Sequence, residues 1–182
     1  MNALTDLMLL LFDLYLTIVL FRIWFQLAKA DFYSPLCQLS VKATNFYIKP
    51  LNYVLPPLGN LNLAAVSLAV LVSFGSKAIF LLNQFHILDV FKVSVLHLID
   101  KSFSLVLFVL FITAILSWFP QARYHPAAML LNQLIEPIVG MIRRVVPPVS
   151  GIDFSVMIAM IAIYFLNKLT LELLAPIMMP GH

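Results

Sequence analysis

The residues able to do chemistry in this chain are mostly charges in unexpected places. Asp13 and Lys77 each stand inside a long apolar run, and Lys168 and Glu172 stand together inside another. An ionisable group in hydrocarbon costs at least ~2.5 kcal/mol unless it is paired or its stem reaches the interface. Asp13 and Lys77 therefore read as an intramembrane charge pair joining two helices, with lysine snorkelling or an ion pathway as the other readings. Lys168 and Glu172, one turn apart, can pair along their own helix. A second concentration of charge is Arg143-Arg144, two adjacent guanidinium groups suited to anionic lipid or to an acidic partner. Lys42 and Lys49 hold a comparable place earlier in the chain, as point charges about two turns apart.

Other reactive types point to no reaction. His86 and His97 could share a helix face as haem or metal ligands, although surface or interface histidines are the simpler reading. Cys37 could carry a lipid or a reactive thiol, but it fits a small buried apolar position better. No Walker loop, dinucleotide fingerprint, HExxH or nucleophile elbow is present. The expectation is a protein that is not an enzyme and has no cofactor or metal.

The elements holding these residues are apolar. Of 182 residues 63% are hydrophobic and only 10% charged, with a mean hydropathy of +1.02, which excludes an ordinary soluble domain. The fold class expected is all-α integral membrane. The net charge of +3 then reads as orientation and lipid contact, with no nucleic acid as partner. The first apolar run lacks a basic leader and a small-residue cleavage site, so it reads as a retained span.

Four transmembrane helices are expected, over about 7–27, 61–82, 102–119 and 154–174, each near the ~20 residues needed to cross hydrocarbon. Arg22, Trp24 and Phe25 form an interface-anchor grouping near the end of the first. Between the first and second, Gln38, Lys42, Asn45, Lys49 and Asn52 make one polar stripe on an apolar cylinder. Between the third and fourth, Asn132, Gln133, Glu136, Arg143 and Arg144 fall within roughly a third of the helical circumference. Both stretches read as amphipathic helices lying in the membrane surface. Ser34 before Pro35 is an N-cap with proline at the first helical position. Pro56-Pro57 and Pro147-Pro148 end the two helices, because neither proline can donate a backbone hydrogen bond. Asn62 and Asp153 then stand where a cap for the next span is needed, and Gly151 allows the sharp turn.

These correspondences extend to the whole chain. At an offset of 91, Pro35 matches Pro126, Asn45 matches Glu136, Asn62 matches Asp153 and Lys77 matches Lys168; upstream, at 94, Asp6 matches Asp100 and Trp24-Phe25 matches Trp118-Phe119. Two repeats follow, 1–87 and 88–182, each a span, a surface helix, a Pro-Pro turn and a span. Two spans per unit make the repeats parallel, unlike the inverted repeats of many transporters. Both surface-helix loops are rich in lysine and arginine, whereas in the loop between units Lys92 and Lys101 are offset by Asp89 and Asp100. The positive-inside rule puts the surface helices on the cytoplasmic face and both termini outside.

At SWFPQ (117–121), the pattern of Pro137, five residues, Arg143-Arg144, two valines and Pro147-Pro148, and GIDFS (151–155), the chain resembles the YggT family of small bacterial membrane proteins, which is similar to the YlmG proteins. The first unit has Asn52-Tyr53 where the second has Arg143-Arg144. The resemblance implies a multi-span protein of the inner membrane without known catalytic residues. It also implies links to envelope organisation, osmotic tolerance and, in plastids, cytochrome b6 assembly. The expected role is a non-enzymatic assembly or scaffold factor with membrane lipids and a membrane-associated protein as partners, as a homo-oligomer or otherwise. The alternative is a transport or channel component in ion uptake or osmotic tolerance.

This organisation predicts that a reporter fused after His182 reads outside, and one inserted in the Gly59–Leu61 turn reads inside. Opposite sides for the two Pro-Pro turns would contradict the tandem arrangement.

Overall fold

The computed structural model describes residues 3–81, 86–119, 121, 124–146 and 154–178. Pro147, Pro148, Gly151 and Asp153 lie outside these residues, so the second expected turn and cap do too. Six helices follow one another: α1 (Ala3–Leu27), α2 (Pro35–Val54), α3 (Leu63–Leu81), α4 (Ile87–Ser117), α5 (Pro126–Arg143) and α6 (Phe154–Met178). Three of them, α1, α4 and α6, are long and apolar enough to cross a membrane; α3 is apolar but shorter.

Local chemistry explains most boundaries. Ser34 takes an extended backbone and its hydroxyl accepts from Cys37 N at 3.3 Å, with Pro35 at the first position of α2. After Val54 the helix stops, and Pro56-Pro57 lead into a tight turn closed by paired backbone bonds between Leu58 and Leu61 at 2.9 and 3.0 Å. Gly59 takes φ 58° there, a left-handed conformation that suits glycine. Asn62 Oδ1 accepts from Ala65 N at 3.1 Å and so caps α3. The end of α1 is less expected. Ala30 N bonds Phe25 O at 3.0 Å and Lys29 N bonds Gln26 O at 3.3 Å, a Schellman arrangement with Lys29 at φ 51° where glycine is usual.

The fourth helix differs from expectation. The stretch read as an inter-unit loop is helical from Ile87, giving α4 31 residues and making His86 its N-cap. Its charges do not interrupt it, because Lys92 pairs with Asp89 at 3.6 Å and the other two reach neighbouring helices.

Packing is pairwise. α1 lies against α3 and α4 against α6, while α3 against α4 joins the halves; α2 rests on α1 and α3, and α5 on α4 and α6. Ala64, Ala65 and Ala69 on α3 are buried, and their small size lets the helix backbones approach closely. One core gathers Leu16, Val19, Leu20, Ile48 and Leu68; the other gathers Phe25, Leu110, Leu134, Ile135 and Val139. The outer faces of α1 and α6 expose rows of Leu, Met, Ile and Phe, a surface suited to hydrocarbon.

Leu110→Ala, at a position with 0% exposure, is expected to cost about 2–5 kcal/mol. Leu10→Ala, on the bare face of α1, should change stability by no more than about 0.5 kcal/mol. Thermal unfolding of both in the same detergent checks the assignment of faces.

Candidate functional site

Three of the ionisable groups inside the apolar helices, Asp13, His97 and Lys101, meet in a cluster that Ser73 extends to a third helix. Asp13, about three turns into α1, accepts from Lys101 Nζ of α4 at 2.9 Å, and His97 Nε2 lies 3.5 Å from its other oxygen. The expected pairing of Asp13 with Lys77 is thereby corrected. Lys101 stands one turn beyond His97 on the same face of α4, and the longer α4 carries both past Asp13 before Lys77 can reach it. His97 Nδ1 lies 3.2 Å from Ser73 Oγ of α3. Ser73 donates its only hydroxyl proton to Ser94 O at 2.7 Å, so the contact with His97 places a proton on Nδ1. The Nε2–Asp13 contact is then an ion pair only in the doubly protonated ring, which leaves Lys101 as the constant partner. Asp100, next in sequence to Lys101, turns the other way and accepts from Asn167 Nδ2 of α6 at 3.0 Å. α4 thus clasps α1 and α3 on one side and α6 on the other.

Lys101 was legible only as a loop charge. Its four-residue spacing from His97 was the available signal. The expected Lys168–Glu172 pair is replaced by Lys168 Nζ lying 5.8 Å from the centre of the Tyr164 ring. Among the described residues no group of three or more His, Cys, Asp or Glu side chains could hold a metal ion.

A second site lies on α5. Arg143 does not stand beside Arg144 as a paired fork, since its Nη1 bonds Glu136 Oε2 at 2.7 Å, two turns back. Gly140 makes room for this: a Cβ there would stand 3.0 Å from Glu136 Oε1. Arg144 is exposed and, with Lys29 at the end of α1, rims a groove of ≈ 700 Å³ that Asn132, Gln133, Glu136 and Gly140 also line. Asp31 N donates to Gln133 Oε1 at 2.8 Å, fastening the α1–α2 link to the rim. On α2, Lys42 and Lys49 are exposed on one face with Leu39, Phe46 and Tyr53. Asn45, expected in the same outward stripe, instead accepts from Arg22 of α1 at 2.9 Å. Arg22 is therefore not an interface anchor beside Trp24 but a buried joint. Cys37 is buried, and that burial pushes its thiol above the usual range.

Asp13→Asn is expected to destabilise the protein by leaving Lys101 uncompensated. Lys101→Met should restore part of the loss and Lys77→Met none. A double-mutant cycle by thermal unfolding should give Asp13–Lys101 a coupling of about 0.5–3 kcal/mol; a coupling confined to Lys77 would contradict the assignment.

The sequence pattern of the family described as CCB3/YggT matches residues 1–83 and 93–174. The Escherichia coli (strain K12) protein named "Uncharacterized protein YggT" is 39% identical over 175 residues, covering 96% of this chain and 92% of its own. A Vibrio alginolyticus protein, "Uncharacterized protein in proC 3'region", is 38% identical over 182 residues, covering 97% of this chain and 98% of its own. "Uncharacterized protein PA0392" of Pseudomonas aeruginosa is 33% identical over 168 residues, with 90% and 85% covered. No solved structure matches the chain. With two tandem segments matched and relatives similar over nearly its full length, this chain belongs to the CCB3/YggT family.

Proposed function

We propose that the chain is a non-enzymatic scaffold or assembly factor of the inner membrane, serving envelope organisation or the biogenesis of a membrane complex. Its α5 groove docks an acidic segment of a membrane-associated protein. In this reading α3, about 28 Å long, is a fourth span flanked by α1 and α4. The surface helices face the cytoplasm with Lys29, Lys42, Lys49 and Arg144, and both termini lie outside. One observation carries the docking: Lys29 holds a left-handed backbone at the groove rim, costing a non-glycine residue about 1–2 kcal/mol. Strain kept at a concave rim supports a use for the side chain there. Arg144 supplies the second cation, and Arg143 offsets the Glu136 carboxylate that would otherwise repel an acidic ligand.

Lys29→Gly is expected to raise stability by about 0.5–1 kcal/mol by relieving the strain, while weakening docking. A photo-crosslinker at Met141, on the groove wall, should give one discrete protein adduct in native membranes. Lys29→Gly with Arg144→Gln should abolish that adduct. Adducts to lipid alone, or an adduct indifferent to both substitutions, would refute the docking.

The transport reading is favoured by one observation, the Asp13–His97–Lys101–Ser73 cluster inside apolar helices. It requires that reconstituted vesicles dissipate a pH gradient and that Asp13→Asn stops this. The scaffold reading expects no flux from either protein.

A further inference from the structure

Arg22 is 7% exposed, and the hydrogen bonds it makes all leave from Nη1, to Val41 O at 3.2 Å, Thr44 Oγ1 at 2.6 Å and Asn45 Oδ1 at 2.9 Å. All three acceptors are neutral. Its Nε is buried without a partner. A guanidinium does not give up its charge, so burial without a counter-ion leaves most of the desolvation penalty standing. Neighbouring acids do not serve: Asp13 is held by Lys101, and the exposed Asp31 accepts from Tyr33 N.

Arg22 lines a cavity of ≈ 120 Å³ with Phe25, Gln26, Lys29, Phe32 and Cys37. Gln26 Oε1 is likewise buried without a partner, and its amide can turn to present N–H groups instead. Lys29 adds a second positive charge. Phe25 also lines a cleft of ≈ 440 Å³ between α1, α2 and α5, whose walls include Ile18, Phe21, Leu36 and Leu39 and are almost wholly apolar. A small cavity lined by two cationic side chains and a larger apolar cleft therefore share Phe25 as a wall.

The second repeat carries no charge at the positions corresponding to Arg22 and Thr44. At the offsets that align the repeats, Arg22 corresponds to Leu116 and Thr44 to Ile135, which is fully buried. Seating a surface helix on its span does not require an arginine, so the guanidinium of the first repeat needs a reason beyond folding.

We propose that the cavity at Arg22 binds the phosphate of an anionic phospholipid, with Arg22 and Lys29 as its cations and an acyl chain in the neighbouring apolar cleft. Position selects a lipid over a free anion: α2 exposes Phe46 and Tyr53 beside Lys42 and Lys49, the mixture that settles a helix at head-group depth. This site shares Lys29 with the docking groove but does not rest on the docking reading, and its test leaves Lys29 and Arg144 intact.

Native mass spectrometry of the full chain from mixed phosphatidylglycerol–phosphatidylcholine nanodiscs is expected to show one retained phosphatidylglycerol. Arg22→Leu with Thr44→Ile, which copies the second repeat, should unfold cooperatively and lose that lipid. Gln26→Glu provides a second route that does not remove the arginine. A glutamate one turn after Arg22 supplies the counter-ion from within the cavity, so it should raise the unfolding temperature and displace the lipid. Equal retention of the two lipids by the unaltered protein would overturn the proposal, as would undiminished phosphatidylglycerol in Gln26→Glu. Inorganic phosphate added to phosphatidylcholine nanodiscs should not shift the unfolding temperature; stabilisation equal to that by phosphatidylglycerol would make this a free-anion site and overturn the lipid assignment.

Discussion

A carboxylate set well inside an apolar helix carries a cost unless it is paired, and the helices around Asp13 are arranged to answer it. Lys101 supplies the charge and His97 stands behind it, both from the second repeat. The ion pair therefore joins the two halves as well as neutralising a residue. Ser73 extends the joint to α3, and Asp100 with Asn167 extends it to α6. Apolar packing between helices discriminates poorly among rotations and depths when lipid is as apolar as leucine. A few polar bonds of fixed geometry set the register that the apolar surfaces leave open.

The surface helices meet a different constraint. Each has a face bedded on the two apolar helices of its own repeat and a face turned outward, and the two repeats differ in how they are seated. α2 is seated through Cys37, Ser40, Thr44 and Ile48, with Arg22 of α1 donating to Val41 O, Thr44 Oγ1 and Asn45 Oδ1. α5 is seated through Leu130, Leu134, Ile135 and Val139, and its polar residues line an open groove. Duplication thus yielded one joint that buries a charge and one that keeps its charges at the surface.

Much of the fold was legible in the chain. Caps and breakers act over a few residues, so Ser34-Pro35, Pro56-Pro57 and Asn62 mark their boundaries by local hydrogen bonding alone. Apolar length marks α1, α4 and α6, and the offsets of 91 and 94 mark the duplication, which the family pattern matches twice. The start of α4 was obscured because Asp89, Lys92, Asp100 and Lys101 look like loop residues until their partners on the same and adjacent helices are visible.

The sequence by itself determined that Asp13 and Arg22 must each be reckoned with, since charge in an apolar run carries its cost wherever the helix goes. Which group answers each was decided by tertiary structure. Asp13 met Lys101 instead of Lys77, and Arg22 met the neutral oxygens of α2 instead of the interface. Likewise Arg143 was drawn back to Glu136 and left Arg144 to line the groove with Lys29. The reason is geometric: periodicity reports the face of a helix a residue occupies, but not the depth and rotation at which another helix passes it.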